Sequence, residues 1–235
     1  MIENQVIIEQ PPEARVPWGA RQAWWGVAAL ALWLGLAIGL GVLAVIYEFE
    51  LSFSLVLAFG ELSLLLPVWW LVLRKHESGW SLLGLRPSQE NVVVLSCGAL
   101  VVFYGINFCY AAFAASLGLE GGGSLSPVLV NPTLFWGLAF SAVLVAPFVE
   151  EIFFRGFLFT GFREKYGWRK AAALSALLFS LIHLQPLNMI PFFILGYIFA
   201  YTYEYSGSLW PAILLHATVN GVSMLLLGAF IVFAG

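Results

Sequence analysis

The sequence predicts an all-α, polytopic membrane protein of about seven transmembrane helices with a four-helix catalytic core. Three observations carry that reading. Apolar residues fill 61% of the 235 positions and charged residues only 10%, where soluble domains hold near a quarter charged. Mean hydropathy is +0.93. Apolar runs near the twenty residues needed to cross a bilayer recur between loops rich in Gly, Pro and charge.

Residues 1–21 read as a polar cytoplasmic tail. Its Glu3, Glu9, Glu13 and three prolines are unlike the basic start of a secretory leader, so no cleaved signal peptide is expected. No lipidation signature is expected at either end. Residues 22–132 hold the N-terminal transmembrane helices and loops. The first span runs from about Trp24 to Tyr47, with Trp24 and Trp25 as an interfacial anchor. Glu48-Phe49-Glu50 turns into a second span to about Leu73, containing Glu61 and Pro67 and ending on Trp69-Trp70. A polar loop, Arg74 to Glu90, contains the stretch Trp80-Ser81-Leu82-Leu83-Gly84-Leu85-Arg86-Pro87. The third span covers about Asn91 to Leu117, and Glu120-Gly121-Gly122-Gly123-Ser124 opens a loop to Pro132. Residues 133–235 form the core. Its fourth span runs from near Thr133 to about Phe162. A basic turn, Arg163 to Lys170, leads to a short fifth span from about Ala171 to Leu184. The sixth covers about Met189 to Tyr205, and the seventh starts at Ser206-Gly207-Ser208-Leu209-Trp210-Pro211, where proline in the first turn favours a helix start.

Charge placement gives an orientation. The ten Lys and Arg residues are Arg15, Arg21, Arg74, Lys75, Arg86, Arg155, Arg163, Lys165, Arg169 and Lys170. With seven alternating crossings all lie on the side of the N-terminus, while Glu48, Glu50 and Glu120 lie opposite. The positive-inside rule then puts the N-terminus in the cytoplasm. The expected location is the plasma membrane of a bacterial cell, spanned several times.

The two cysteines, Cys97 and Cys109, are roughly 18 Å apart on one helix and cannot bridge each other. They read as small apolar residues. No internal repeat suggests an inverted-repeat transporter.

Chemistry concentrates at Glu150-Glu151-Ile152-Phe153-Phe154-Arg155, with apolar sequence on both sides. An ionisable group in such a setting costs a few kcal/mol and marks a functional site by default. Glu151 and Arg155 are i,i+4 with the acid first, the favourable order for an ion pair. Glu150 sits about 100° round the helix. One glutamate is neutralised and the other is left for chemistry.

Of three histidines, His76 lies in the polar loop and reads as solvated. His183 follows Phe179-Ser180-Leu181-Ile182 in the fifth span. His216 opens His216-Ala217-Thr218-Val219-Asn220 in the seventh, with Asn220 one turn on and on the same face. Counted from the cytoplasmic span ends, Glu150, His183 and His216 fall at roughly 10–18 Å depth. A carboxylate, two imidazoles and an amide suffice for peptide-bond hydrolysis. Glutamate can take a proton from water, while histidine and the Asn220 amide can donate to the developing oxyanion. The same parts could hold zinc, with Glu150, His183 and His216 as ligands and water in the fourth position. No HExxH is present, so zinc lacks a local motif. No cofactor is the primary expectation, with zinc the alternative. Glu61 is a further intramembrane acid without an assigned role, and Glu204 reads as interfacial.

The motifs Glu150-Glu151-x-x-x-Arg155, Phe179-x-x-x-His183 and His216-x-x-x-Asn220, in this order, resemble those of the CAAX protease and bacteriocin-processing (CPBP, or Abi) family of intramembrane endopeptidases. Gly207-Ser208-Leu209-Trp210-Pro211 fits the same context, and Trp80 to Arg86 resembles a loop that often precedes the family's core. The resemblance implies a membrane-embedded peptidase with a site open to the cytosol. Glu150 would activate water with help from His183, Glu151 and Arg155 would organise it, and His216 with Asn220 would stabilise the oxyanion. The family has been described as glutamate-dependent and as metal-dependent, and the Glu151–Arg155 pair favours the former. The implied partners are the lipid bilayer and membrane-associated protein or peptide substrates, prenylated in eukaryotic members; nucleic acid is not among them.

Two readings compete. A non-catalytic scaffold or bacteriocin-immunity protein could share the fold, though every motif position is intact here. A proton-coupled transporter could use Glu150, Glu61 and the histidines as a relay, but it lacks the expected repeats.

Overall fold

The computed structural model describes residues 16–47, 60–77, 79–88, 92–119 and 131–234. All regular structure among them is helical. The expected second span up to residue 59, the 120–130 loop and most of the N-terminal tail lie outside the described residues.

Helix α1 is Ala20–Ile46, α2 Leu65–Leu71, α3 Gly79–Leu82 and α4 Val93–Ser116. Helix α5 is continuous through Pro132–Phe140, Ser141–Val145, Ala146–Glu151, Ile152–Phe159 and Thr160–Tyr166, with the second and fourth stretches wound as π-helix. Helix α6 is Trp168–Ile182, α7 Met189–Ser206 and α8 Leu209–Ala234. Within their apolar sequence these helices form because every backbone polar group must be satisfied internally in lipid.

Four described helices are long and apolar enough to cross a membrane, at Ala20–Leu43, Val93–Ser116, Leu134–Tyr166 and Leu209–Ile231. The expected count of seven is therefore not reproduced. Helix α6 stops at Ile182 and is only 15 residues long. Helix α7 reaches 18 residues, but Glu204 and the tyrosines 197, 201, 203 and 205 dilute its hydropathy. These two pack closely against each other. Their break from α5 is also shorter than the expected basic turn: Gly167 alone separates α5 from α6, at φ 74°.

The core sits around α5. Its second π stretch, Ile152–Phe159, is buried throughout. A π turn widens the helix and frees carbonyls from the i−4 ladder, and side chains take them up. Ser175 Oγ donates to Phe154 O at 2.8 Å, Thr160 Oγ1 to Arg155 O at 2.9 Å, and Trp18 Nε1 to Phe157 O at 3.0 Å. The last of these ties the residues leading into α1 to the core.

The 83–86 segment straps the turn between α7 and α8. Leu209 N–H donates to Gly84 O at 2.8 Å and Arg86 Nε to Gly207 O at 2.7 Å. Gly84 has φ +100° and lies against Tyr203, so only glycine fits there. This strap sets the entry of α8, the helix that carries His216.

Candidate active site

Glu150 and Glu151 end an α-helical stretch of α5, immediately before the second π stretch. Glu151 is fully buried. Arg155 Nη1 donates to Glu151 Oε1 at 2.9 Å, the pairing that the four-residue spacing predicts. Arg155 is itself fully buried, boxed by the rings of Phe179 at 4.6 Å and Phe199 at 5.1 Å. Its Nη2 donates to Gly196 O at 2.9 Å. A Cβ on Gly196 would stand 3.0 Å from that same Nη2 and 3.0 Å from the Ala176 backbone. Glycine is what lets α7 come close enough to accept the bond.

Glu151 has a second partner that sequence reasoning did not supply. His216 Nδ1 lies 2.9 Å from the same Oε1. Because Arg155 holds Glu151 as an acceptor, His216 donates through Nδ1, and its Nε2 is left facing outward. That Nε2 lies 3.9 Å from Glu150 Oε2. His216 thus stands between the two adjacent glutamates, bonded to one and aimed at the other. Phe199 stacks on the imidazole at a centroid distance of 4.6 Å and an angle of 25°, and Phe179 meets it edge-on at 5.7 Å. The ring cannot swing without displacing an aromatic wall.

Glu150 Oε2 and Glu151 Oε2 are buried and accept no hydrogen bond from the described residues. Unsatisfied carboxylate oxygens at this depth are costly. Two of them beside one imidazole mark a place where a polar group belongs.

His183 is arranged differently from expectation. It caps α6, at the end expected for the fifth span, and its Nδ1 donates to Phe179 O one turn back at 2.7 Å. No hydrogen bond joins it to Glu150. The next residue, Leu184, has φ +52°, a strained conformation for leucine that pins the imidazole at the helix end. Phe192 covers one face at 4.3 Å, and Phe179 lies 4.7 Å away. Phe179 therefore touches both imidazoles and spaces them.

Asn220 lies one turn beyond His216 on α8, and its Nδ2 donates to Ala142 O at 2.7 Å. Ala142 belongs to the first π stretch of α5. Helices α5 and α8 are therefore antiparallel, joined by His216–Glu151 at one height and Asn220–Ala142 at another. One amide proton of Asn220 is used in this bond and the other is free to donate elsewhere.

The structure brings Glu150, Glu151, Arg155 and His216 into one contact network, with Asn220 a turn away and His183 across Phe179. Among the described residues no three His, Cys or Glu side chains are grouped so as to hold a metal ion, and His216 Nδ1 is already taken by Glu151. The sequence also did not announce Gly196, whose carbonyl serves Arg155, or Ser141, which bonds Glu61 at 2.8 Å; a serine inside an apolar span was the available signal for the latter.

Residues 132–222, which run from the start of α5 into α8, match the family model described as Type II CAAX prenyl endopeptidase Rce1-like. A protein of Bacillus subtilis (strain 168) named "Putative membrane peptidase YdiL" is 29% identical over 77 residues, covering 33% of this chain and 32% of that protein. The chain thus aligns with about a third of that relative's length. No solved structure matches. Over residues 132–222 the chain carries the Rce1-like pattern of the CAAX prenyl endopeptidases, and the resemblance read from its three motifs holds for that segment.

Proposed function

We propose that the protein is an intramembrane endopeptidase that hydrolyses peptide bonds of membrane-associated proteins or peptides. The observation that carries this reading is His216, held by Glu151 at 2.9 Å with Nε2 turned to the unpartnered Glu150 Oε2 at 3.9 Å. That separation is too long for a direct hydrogen bond and suits a water held by both.

Glu150 takes a proton from this water as its oxygen attacks the scissile carbonyl carbon. Negative charge develops on the carbonyl oxygen, where the free Asn220 N–H donates. The C–N bond then breaks, Glu150 returns the proton to the leaving nitrogen, and a carboxylate and an amine result. His216 orients the water and shares its proton, steadied by the Glu151 carboxylate. Arg155 holds Glu151 ionised and in place. His183, with Nδ1 committed to its own helix, presents Nε2 as an acceptor on the far side of Phe179, where it can position the substrate or the water.

The proposed chemistry is metal-free, a reading supported by the pairing of Glu151 with Arg155. The site is proposed to face the cytosol, with the N-terminus cytoplasmic. Residues 133–235 are proposed as the catalytic unit.

The experiment is cleavage of a quenched membrane-peptide library by the purified protein in detergent, with and without a strong zinc chelator. Cleavage that survives the chelator supports the glutamate route. Cleavage abolished by chelator and restored by zinc contradicts it, and no cleavage of any member contradicts the peptidase reading.

A further inference from the structure

Glu61 is the intramembrane acid that the proposed chemistry leaves unused. It is half-buried, and its bonding partner is Ser141, whose Oγ donates to Glu61 Oε2 at 2.8 Å. No basic side chain among the described residues pairs with it. An acid placed in an apolar span only to receive a serine hydroxyl is an expensive way to join two helices.

The place of that bond explains it. Ser141 opens the first π stretch of α5, Ser141–Val145. The next residue, Ala142, gives its carbonyl to Asn220 Nδ2 at 2.7 Å. Glu61 from one side and Asn220 from the other therefore hold adjacent residues of the same widened turn. A π turn is less stable than the α-helix it interrupts, so its geometry needs outside support. If the turn relaxed, the Ala142 carbonyl would return to the helical ladder and Asn220 would lose its anchor.

We propose that Glu61 is a positioning residue of the active site, fixing the Asn220 amide through Ser141 and the Ala142 carbonyl. The proposal rests on the peptidase reading for the role of Asn220, while the clamp itself does not. It makes the bond between Glu61 and Ser141 part of how the oxyanion donor is aimed.

The test uses E61A, E61Q, S141A, N220A and the double variant E61A/N220A in the full chain in detergent. Turnover is followed on the library peptide that the wild type cleaves fastest, and hydrogen exchange on residues 141–150. Loss of a bond to a charged acceptor predicts that E61A lowers kcat by about tenfold to a hundredfold with KM unchanged. E61Q still offers an amide oxygen to Ser141 and should stay within about threefold of wild type. In the N220A background, E61A should add almost nothing, because the two act through one turn. Additive losses, a rise in KM alone, or an E61Q variant as impaired as E61A would overturn the proposal, the last because charge and not the clamp would then matter. The exchange arm needs no turnover. E61A and S141A should both speed exchange at 141–146, and unchanged exchange in both overturns the clamp. Absence of wild-type cleavage with the exchange effect intact overturns only the peptidase reading.

Discussion

Helices α1 and α4 on one hand and α5 on the other are all apolar enough to cross a membrane, yet they use that apolarity in opposite ways. Only 11% of the α1 span and 6% of the α4 span are buried inside the protein, against 44% of the α5 span. Val94, Val101, Phe108 and Leu36 face outward, where lipid is as good a solvent as a protein core. Helix α5 turns its apolar residues inward around Glu151, Arg155 and the wide π turns. Hydropathy alone reports that a helix belongs in a membrane. It does not tell a lipid-facing strut from the helix that builds a site.

The comparison can be broken most forcefully at Arg155. Removing it by Arg155→Ala leaves Glu151 buried with a charge and only His216 beside it, which should cost about 3–5 kcal/mol. Thermal melting in detergent should fall steeply and cleavage should vanish; a variant that melts like the wild type would show that the ion pair does not hold α5. Gly196→Val forces a side chain against Arg155 and the Ala176 backbone. Overpacking of that kind costs roughly 1–3 kcal/mol, and melting should fall together with turnover.

A smaller effect sharpens the role of the π stretch. Ser175→Ala strips the Phe154 carbonyl of its side-chain donor and should lower stability by about 1–2 kcal/mol. A loss no larger than that of an exposed-residue variant would mean that the widened turn needs no hydroxyl support. The smallest effect belongs to the lipid-facing helices. Phe108→Ala on α4 should change stability by no more than about 0.5 kcal/mol, since lipid replaces the contact. A loss as large as at Gly196 would place α4 against a partner.

Most of the architecture was legible because its signals are local. The boundaries of α1, α4, α5 and α8 lie within a few residues of the apolar runs, and Glu151–Arg155 followed from four-residue spacing. The seven-span count is not confirmed, because α6 and α7 are shorter or less apolar than the other spans and much of the expected second span lies outside the described residues. The end of the fifth span, expected near Leu184, matches the end of α6 that His183 caps, but the bond of His183 to Phe179 O instead of to Glu150 depends on packing that composition does not show. The bond from His216 to Glu151 joins residues far apart in sequence, and nothing in either motif says which of two adjacent glutamates the imidazole will choose. Packing by Phe179 and Phe199 makes that choice. The π stretches left no pattern, since Ser141–Val145 and Ile152–Phe159 only continue the apolar run of the helix around them.

The proposed division of labour between neighbours is that Glu151 holds the site together and Glu150 does the chemistry. Glu150→Gln and Glu151→Gln, compared for melting and for turnover of one cleaved peptide, test it directly. Both should lose at least about a hundredfold in kcat, but only Glu151→Gln should lower the melting temperature, because it alone removes the charge that pairs with the buried Arg155. Near wild-type turnover by Glu150→Gln would contradict the account.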